Sequence, residues 1–211
     1  MNLDKKPDSY ESALEKAWES LDSLNPVELA KKSGASFDSE KKEFTLIFLN
    51  DEFHIKPSNR TVIGSKGQEA RPFISVLLLH YLVYAKEIGL EGKLISFREL
   101  SGGDVYYNAF QRRAILPITN AFGSNCEALR AAGGRIHAEE SDHGDISVKI
   151  KVFPRIPVTV ILWEGDDEIP PSSNMLFDAS IRELLPTEDV AVIGGFVAST
   201  LIKNIKMDQV E

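Results

Sequence analysis

From Phe73 to Tyr84 the only polar groups are the Ser75 hydroxyl, the His80 imidazole and the phenols of Tyr81 and Tyr84. A helix that is apolar on all sides is normally the buried axis of a domain, so the fold is expected to assemble around this segment. The run from Phe73 to Ala85 is shorter than the roughly 20 residues a bilayer span needs, which favours a core helix over a membrane helix. A histidine inside such a helix must either find an internal hydrogen-bond partner or bind something, and the sequence leaves both readings open.

The remaining composition bounds what can surround that helix. A chain of 211 residues with 43% hydrophobic content can bury one sizeable core. We therefore expect a single domain over residues 1–211, with 1–34 an N-terminal helical segment and 198–211 the end of a C-terminal helix and tail. Acidic residues outnumber basic ones by 32 to 24, for a net charge of −8, and no Lys/Arg run forms a phosphate-tracking stripe. Neither nucleic acid nor membrane insertion is expected. A lone Cys126 gives no intramolecular disulfide and no cysteine-built zinc or iron–sulfur site within one chain. Lys5 and Lys6 are not followed by an apolar core, so no secretory signal is read, and the expected setting is soluble and cytoplasmic.

Periodicity then assigns elements. Ala13, Leu14, Ala17, Trp18, Leu21 and Leu24 recur at three and four, predicting an amphipathic helix or helix pair over 8–32 with a break at Asn25 and Pro26. Residues 35–63 read as strands joined by tight turns, with one turn at Asn50 and Asp51. The central helix is expected over 70–88, capped by Gly89, followed by an extended segment from Lys93 to Leu100 and a turn at Gly102 and Gly103. Residues 104–122 read as helical with an interruption at Pro117, and 125–132 as a helix ended by Gly133 and Gly134. Ile146, Val148, Ile150 and Val152 alternate with Ser147, Lys149 and Lys151, predicting a half-buried strand that reverses through Pro154–Pro157 into a buried strand, Val158–Trp163. Two closing helices are predicted, over 174–185 and 187–206. The fold class is α+β, with antiparallel strands in two clusters packed around a buried central helix and C-terminal helices.

Several strings, in order, resemble one family: Leu78 to Leu82 around His80, Ser96 to Leu100 with Gly102 and Gly103, Pro154 to Pro157, Leu162 to Glu168, Leu176 to Ser180, and Leu185 to Asp189. Over most of residues 8–197 the chain resembles the DUF3786 family, whose function is unassigned. The resemblance implies a setting in anaerobic bacteria and archaea. Some members carry an amino-terminal iron–sulfur domain resembling those of corrinoid iron–sulfur proteins. One cysteine cannot build that cluster here, so what the resemblance implies is anaerobic redox or tetrapyrrole metabolism.

The candidate site residues are His80, Arg98, Glu99, Tyr107, Trp163, Asp178 and Glu188. His80 is either a metal or haem-type ligand or a satisfied core residue; no second histidine stands at metal-binding spacing on its helix. Arg98, with Arg71, Arg112 and Arg113 in the same half, suits an anion gripped bidentately, or an internal ion pair that fixes the loop. Only one of Arg98 and Glu99 can face a given cleft if the segment is a strand. Tyr106, Tyr107, Phe110 and Trp163 either pave a ligand pocket or belong to the core. Thr187, Glu188 and Asp189 read as a helix cap, Asp178 as an ion-pair partner of Arg182, and Glu164–Glu168 as a solvated turn. The acidic residues of these segments also admit an acid–base or divalent-metal reading. Cys126 stands near a predicted helix start, a position that lowers a thiol pKa.

Three functions are carried forward. The first is a cytoplasmic binding or accessory protein for a bulky cofactor, a tetrapyrrole of corrinoid or haem-like type, held against the central helix by His80 and Arg98. The second is a metal-dependent or acid–base enzyme using His80, Glu99 and carboxylates from Asp166, Glu168, Asp178 or Glu188. The third is a non-catalytic scaffold that meets a protein partner. Both ligand readings expect the His80, Arg98, Trp163 and Asp178 to Glu188 segments to converge on one cavity.

Overall fold

A computed structural model describes residues 7–205. The predicted ends 1–6 and 206–211 lie outside the described residues. Helix α1 (Pro7–Asp22) and helix α2 (Pro26–Ser33) form the expected pair, and the break falls at Asn25, whose Oδ1 accepts from Val27 N–H at 2.9 Å and Glu28 N–H at 3.2 Å. Proline at the first turn and a capping amide together restart the chain as a helix.

The first strand cluster is a meander, β1 (Ser36–Asp38), β2 (Glu43–Phe48), β3 (Asp51–Lys56) and β4 (Thr61–Gly64). The β2–β3 turn falls on Leu49 and Asn50, both at positive φ, one residue earlier than predicted; Leu49 N–H is tied to the Val152 carbonyl at 3.0 Å. The second cluster is a five-stranded antiparallel sheet of β5 (Leu94–Ser96), β6 (Glu139–Ser141), β7 (Ile146–Phe153), β8 (Ile156–Trp163) and β9 (Ser172–Asp178), in spatial order β5-β9-β8-β7-β6. The fold is thus α+β with two antiparallel sheets, as expected.

The helix predicted over 174–185 is instead strand β9 followed by a 3-10 turn, Ala179–Glu183. Met175 and Phe177 are buried while Asn174 and Leu176 are less so, and β9 pairs with β8 on one side and β5 on the other. Ladder bonding on both edges decides the conformation there, where local propensity alone is ambiguous.

The central helix, α3 (Pro72–Tyr84), is shorter than predicted and leaves the helix at Ala85 without a glycine cap. The residues after it are held by long-range contacts: Lys31 pairs with Glu87 at 2.9 Å, and the Asp178 carboxylate accepts from the Glu91 and Gly92 amides at 2.9 and 2.8 Å. Nor is α3 buried on every side. Leu77, Leu78, Leu79, Tyr81 and Leu82 are in the core, whereas His80 and Val83 are half-buried and Tyr84 is exposed.

Helix α4 (Gly103–Phe110) continues through a π-turn, Gln111–Ile115, into α5 (Leu116–Phe122). Pro117 does not interrupt it. Helix α6 (Cys126–Arg135) runs through Gly133 and Gly134, which do not terminate it; a Cβ at Gly133 would stand 2.9 Å from the Val148 side chain, so glycine lets α6 lie close on β7. Helix α7 (Thr187–Ile205) closes the described chain. One contiguous apolar cluster includes residues of both sheets together with α1, α2, α3, α6 and α7.

A buried polar knot joins three parts of this core. The Tyr81 hydroxyl donates to the Ser33 carbonyl at 2.6 Å and accepts from the Arg155 amide at 3.2 Å, while its ring stacks on Phe153 at 4.0 Å. The Arg155 guanidinium in turn bonds the Lys31 and Lys32 carbonyls at the end of α2. The turn Pro154–Arg155 thereby satisfies carbonyls that α2 leaves open.

Candidate functional site

Of the candidate site residues, His80 and Glu188 come to the N-terminal turn of α7, on opposite sides of it; the expected convergence on one cavity does not occur, since the cavity beside His80 has neither Arg98, Trp163 nor Asp178 in its lining. Val190, Ile193, Gly194, Val197 and Leu201 form the buried stripe of α7. Asp189 lies four residues before Ile193 and eight before Val197, so helical spacing directs its carboxylate inward toward α3. There Asp189 Oδ2 meets His80 Nδ1 at 2.7 Å, with side chains 12% and 24% exposed. An ionised carboxylate only accepts hydrogen bonds, so Nδ1 carries the proton and donates. The carboxylate thus sets ring orientation and tautomer and leaves Nε2 without a partner among the described residues.

Beside the imidazole is a cavity of about 200 Å³ between α1 and α3, bordered by Ala13, Lys16, Ala17, Ser20, Val83 and Tyr84. The Tyr84 ring lies 5.5 Å from that of His80. The cavity offers an imidazole, an ammonium and a phenol against small apolar walls, the Ser20 hydroxyl being spent on the Lys16 carbonyl at 2.8 Å.

On the other side of the same α7 turn, Glu188 Oε1 accepts from the Tyr106 hydroxyl at 2.7 Å, and the Thr187 hydroxyl donates to the Ser101 carbonyl at 2.7 Å. Thr187 is the first residue of α7 and ties it to the 101–103 turn, in place of the predicted cap. Arg98 and Glu99 stand in a 3-10 turn, Phe97–Glu99, and not in a strand. The cause is a reciprocal cap: Glu99 Oε2 accepts from Ser96 N–H at 2.7 Å and from the Ser96 hydroxyl at 3.0 Å, which holds its pKa below the usual carboxylate value. Arg98 is exposed, lies over the Tyr107 ring at 3.9 Å and stands 3.9 Å from Asp104. Its partners are Tyr107 and Asp104, an ion pair across the loop that is exposed and not internal.

Asp178 and Trp163 belong to other surroundings. Asp178 is the last residue of β9, buried, and accepts from the Ser180, Glu91 and Gly92 amides; it does not pair with Arg182, which donates to the Glu99 carbonyl at 3.3 Å. Burial pushes its pKa up, but these hydrogen bonds outweigh burial and hold it below the ordinary value. It borders a cavity with Leu90, Leu94, His143 and Thr159, separate from the one beside His80. Trp163 ends β8, half-exposed, next to Gly144. The Glu164–Glu168 turn is organised by Asp166, whose Oδ1 accepts from the Glu168 and Ile169 amides at 2.8 and 2.7 Å. The Cys126 thiol is buried, and burial, then the nearby carboxylates of Glu164, Asp145 and Glu127, raise its pKa, opposite to the expected effect of a helix start.

The two implied groups can be tested against this geometry. Among the described residues no three His, Cys, Asp or Glu side chains gather as metal ligands, so His80 offers one nitrogen to a divalent ion and nothing completes the set. A tetrapyrrole does not fit beside His80: about 200 Å³ is below the ~300–1,000 Å³ of sites that bury a drug-sized ligand, and a tetrapyrrole macrocycle is larger than such a ligand, so the space suits only a compact one. The residue missing from the candidate site is Asp189, read with Glu188 as a cap or as part of an acid–base or metal-binding pair, and not as the partner of His80. Its alignment with the buried stripe of α7, unlike that of Glu188, was the available signal.

Among the described residues no helix is long and apolar enough to cross a membrane. A family model described as Domain of unknown function (DUF3786) matches residues 25–200. No curated protein and no solved structure matches the chain.

Proposed function

The chain belongs to the DUF3786 family, and from that premise we propose that it is a small-molecule-binding protein whose His80–Asp189 pair accepts and returns a proton on a small polar ligand. The observation that carries this reading is the 2.7 Å contact between His80 Nδ1 and Asp189 Oδ2, with Nε2 left without a partner among the described residues and the ring beside a cavity. A carboxylate-oriented imidazole is the usual form of a general base, because its tautomer is fixed and its reactive nitrogen is aimed. Lys16 and Tyr84 supply a cation and a hydroxyl donor at the same cavity, which favours a compact anionic or carbonyl-bearing ligand over a bulky cofactor. The cytoplasmic, anaerobic setting goes with this proposal and is supported by composition and family resemblance alone.

The test is imidazole nitrogen NMR of the full chain against a panel of two- to six-carbon carboxylates and oxoacids. At least one compound is expected to shift the His80 Nε2 resonance saturably in the natural protein and far more weakly in Asp189→Asn. An Nε2 resonance unmoved by the whole panel, together with a His80→Gln variant altered only in melting temperature, would return the pair to a structural role.

A further inference from the structure

The π-turn before Pro117 sets up a second site. Proline has no N–H to give the carbonyl four residues back, that of Arg113, and its ring crowds that position. The chain responds by widening the helix, with Leu116 N–H bonded to the Gln111 carbonyl five residues back. Widened turns of this kind recur at functional sites. Arg113, in the middle of this turn, is half-buried, and its guanidinium makes no hydrogen bond or ion pair among the described residues. Burial lowers the pKa of its guanidinium from the usual value. A cation drawn partly out of water without an anion is unfavourable unless something completes it.

The space beside it is a cavity of about 280 Å³ whose walls include Phe73, Val192, Gly195 and Phe196. The Phe73 and Phe196 rings stack at 5.8 Å and 20°, forming one apolar wall. The Ser199 hydroxyl, also at the cavity, is spent on the Phe196 carbonyl. Gly195 keeps the space open: a Cβ there would meet only the Arg113 Cβ, at 3.9 Å. A planar cation unpaired among the described residues, beside an otherwise apolar wall, has the complementarity of a monoanion with an apolar tail, and guanidinium geometry matches a carboxylate bidentately.

We propose that this cavity binds a small monocarboxylate, its head on Arg113 and its tail against Phe73 and Phe196. The site is distinct from the His80–Asp189 pair. Phe73 precedes His80 on α3, and Phe196 follows Asp189 on α7, by two helical turns each, about 10 Å along either axis. The inference therefore stands or falls independently of the proton-handling reading.

The experiment is calorimetric titration of the full chain with sodium octanoate, with 1-octanol as the uncharged control. Octanoate is expected to bind saturably, about tenfold or more tighter than octanol, the factor a charge-assisted pair supplies. Arg113→Gln should weaken octanoate by about that factor and leave octanol unchanged. Gly195→Leu fills the cavity while keeping the cation, and should abolish binding of both with the circular dichroism spectrum retained. No saturable binding of octanoate at millimolar concentration, or binding undiminished in a folded Arg113→Gln or Gly195→Leu protein, would overturn the proposal.

Discussion

Replacing Tyr81 by Phe removes one oxygen atom and leaves the ring in place on Phe153. The lost hydroxyl serves two backbone groups, the Ser33 carbonyl and the Arg155 amide, in a position where Tyr81 and Ser33 are fully buried. Each buried backbone group left without a partner costs about 1–3 kcal/mol, so the substitution is expected to cost about 3 kcal/mol. At this chain length each kcal/mol moves the melting temperature by roughly 2–4 °C, which gives a fall of about 6–12 °C. Burial also pushes the phenol well above its ordinary pKa, so the loss should be the same at every pH around neutrality. Urea unfolding followed by circular dichroism measures it directly, with an unchanged slope showing that the denatured state is unaffected. A loss below about 1 kcal/mol would refute the reasoning, because it would mean that the two groups find other partners when the hydroxyl is gone.

The two adjacent glycines of α7 should behave oppositely. At Gly194 a Cβ collides with the Phe110 ring and comes within 3.1 Å of the Ala114 Cβ, so Gly194→Ala should cost about 1–3 kcal/mol, whereas Gly195→Ala should be neutral or stabilise by up to about 1 kcal/mol through helix propensity; thermal melts of the two variants check this. Asp178→Asn should destabilise by about 2 kcal/mol in urea titrations at neutral pH, since an amide oxygen replaces a carboxylate that accepts three backbone N–H bonds. Because the folded-state pKa of Asp178 is depressed, its contribution is complete above the ordinary Asp value near 3.8 and is lost as pH falls through the lower folded value; the Gly92 amide shift in the natural protein should report that loss on acidification.

The features legible in the sequence are those set by local rules with one competitor or none. The Ile146–Val152 alternation, the Asn25–Pro26 break and the Thr187 start of the last helix are readable because period, cap and proline each act within a few residues. The errors fall where distant contacts decide. Ser172–Asp178 is a strand because β5 and β8 flank it. Residues 85–88 leave the helix where Lys31, Arg155 and Asp178 hold the connection to β5. Arg98 and Glu99 turn because Glu99 bonds back to Ser96, a local signal that the strand reading overlooked. For the site, His80 was legible as an imidazole among apolar residues, but its partner was not. Asp189 is 109 residues away, and only its place on the apolar stripe of α7 separates it from Glu188, which faces Tyr106. Arg113 stood in the sequence as one of four arginines that suit an anion, since nothing local says which of the guanidinium groups a fold will leave without a partner among the described residues.

The central claim is that Asp189 fixes the proton on His80 Nδ1 and leaves Nε2 as the reactive nitrogen. Two-bond proton–nitrogen correlation spectra of the imidazole, recorded on the natural protein and on Asp189→Asn, test this most directly. The account predicts that the neutral His80 ring carries its proton on Nδ1 with Nε2 unprotonated, and that Asp189→Asn shifts the population toward Nε2–H. A neutral ring protonated at Nε2 in the natural protein, or a tautomer indifferent to Asp189→Asn, would contradict it.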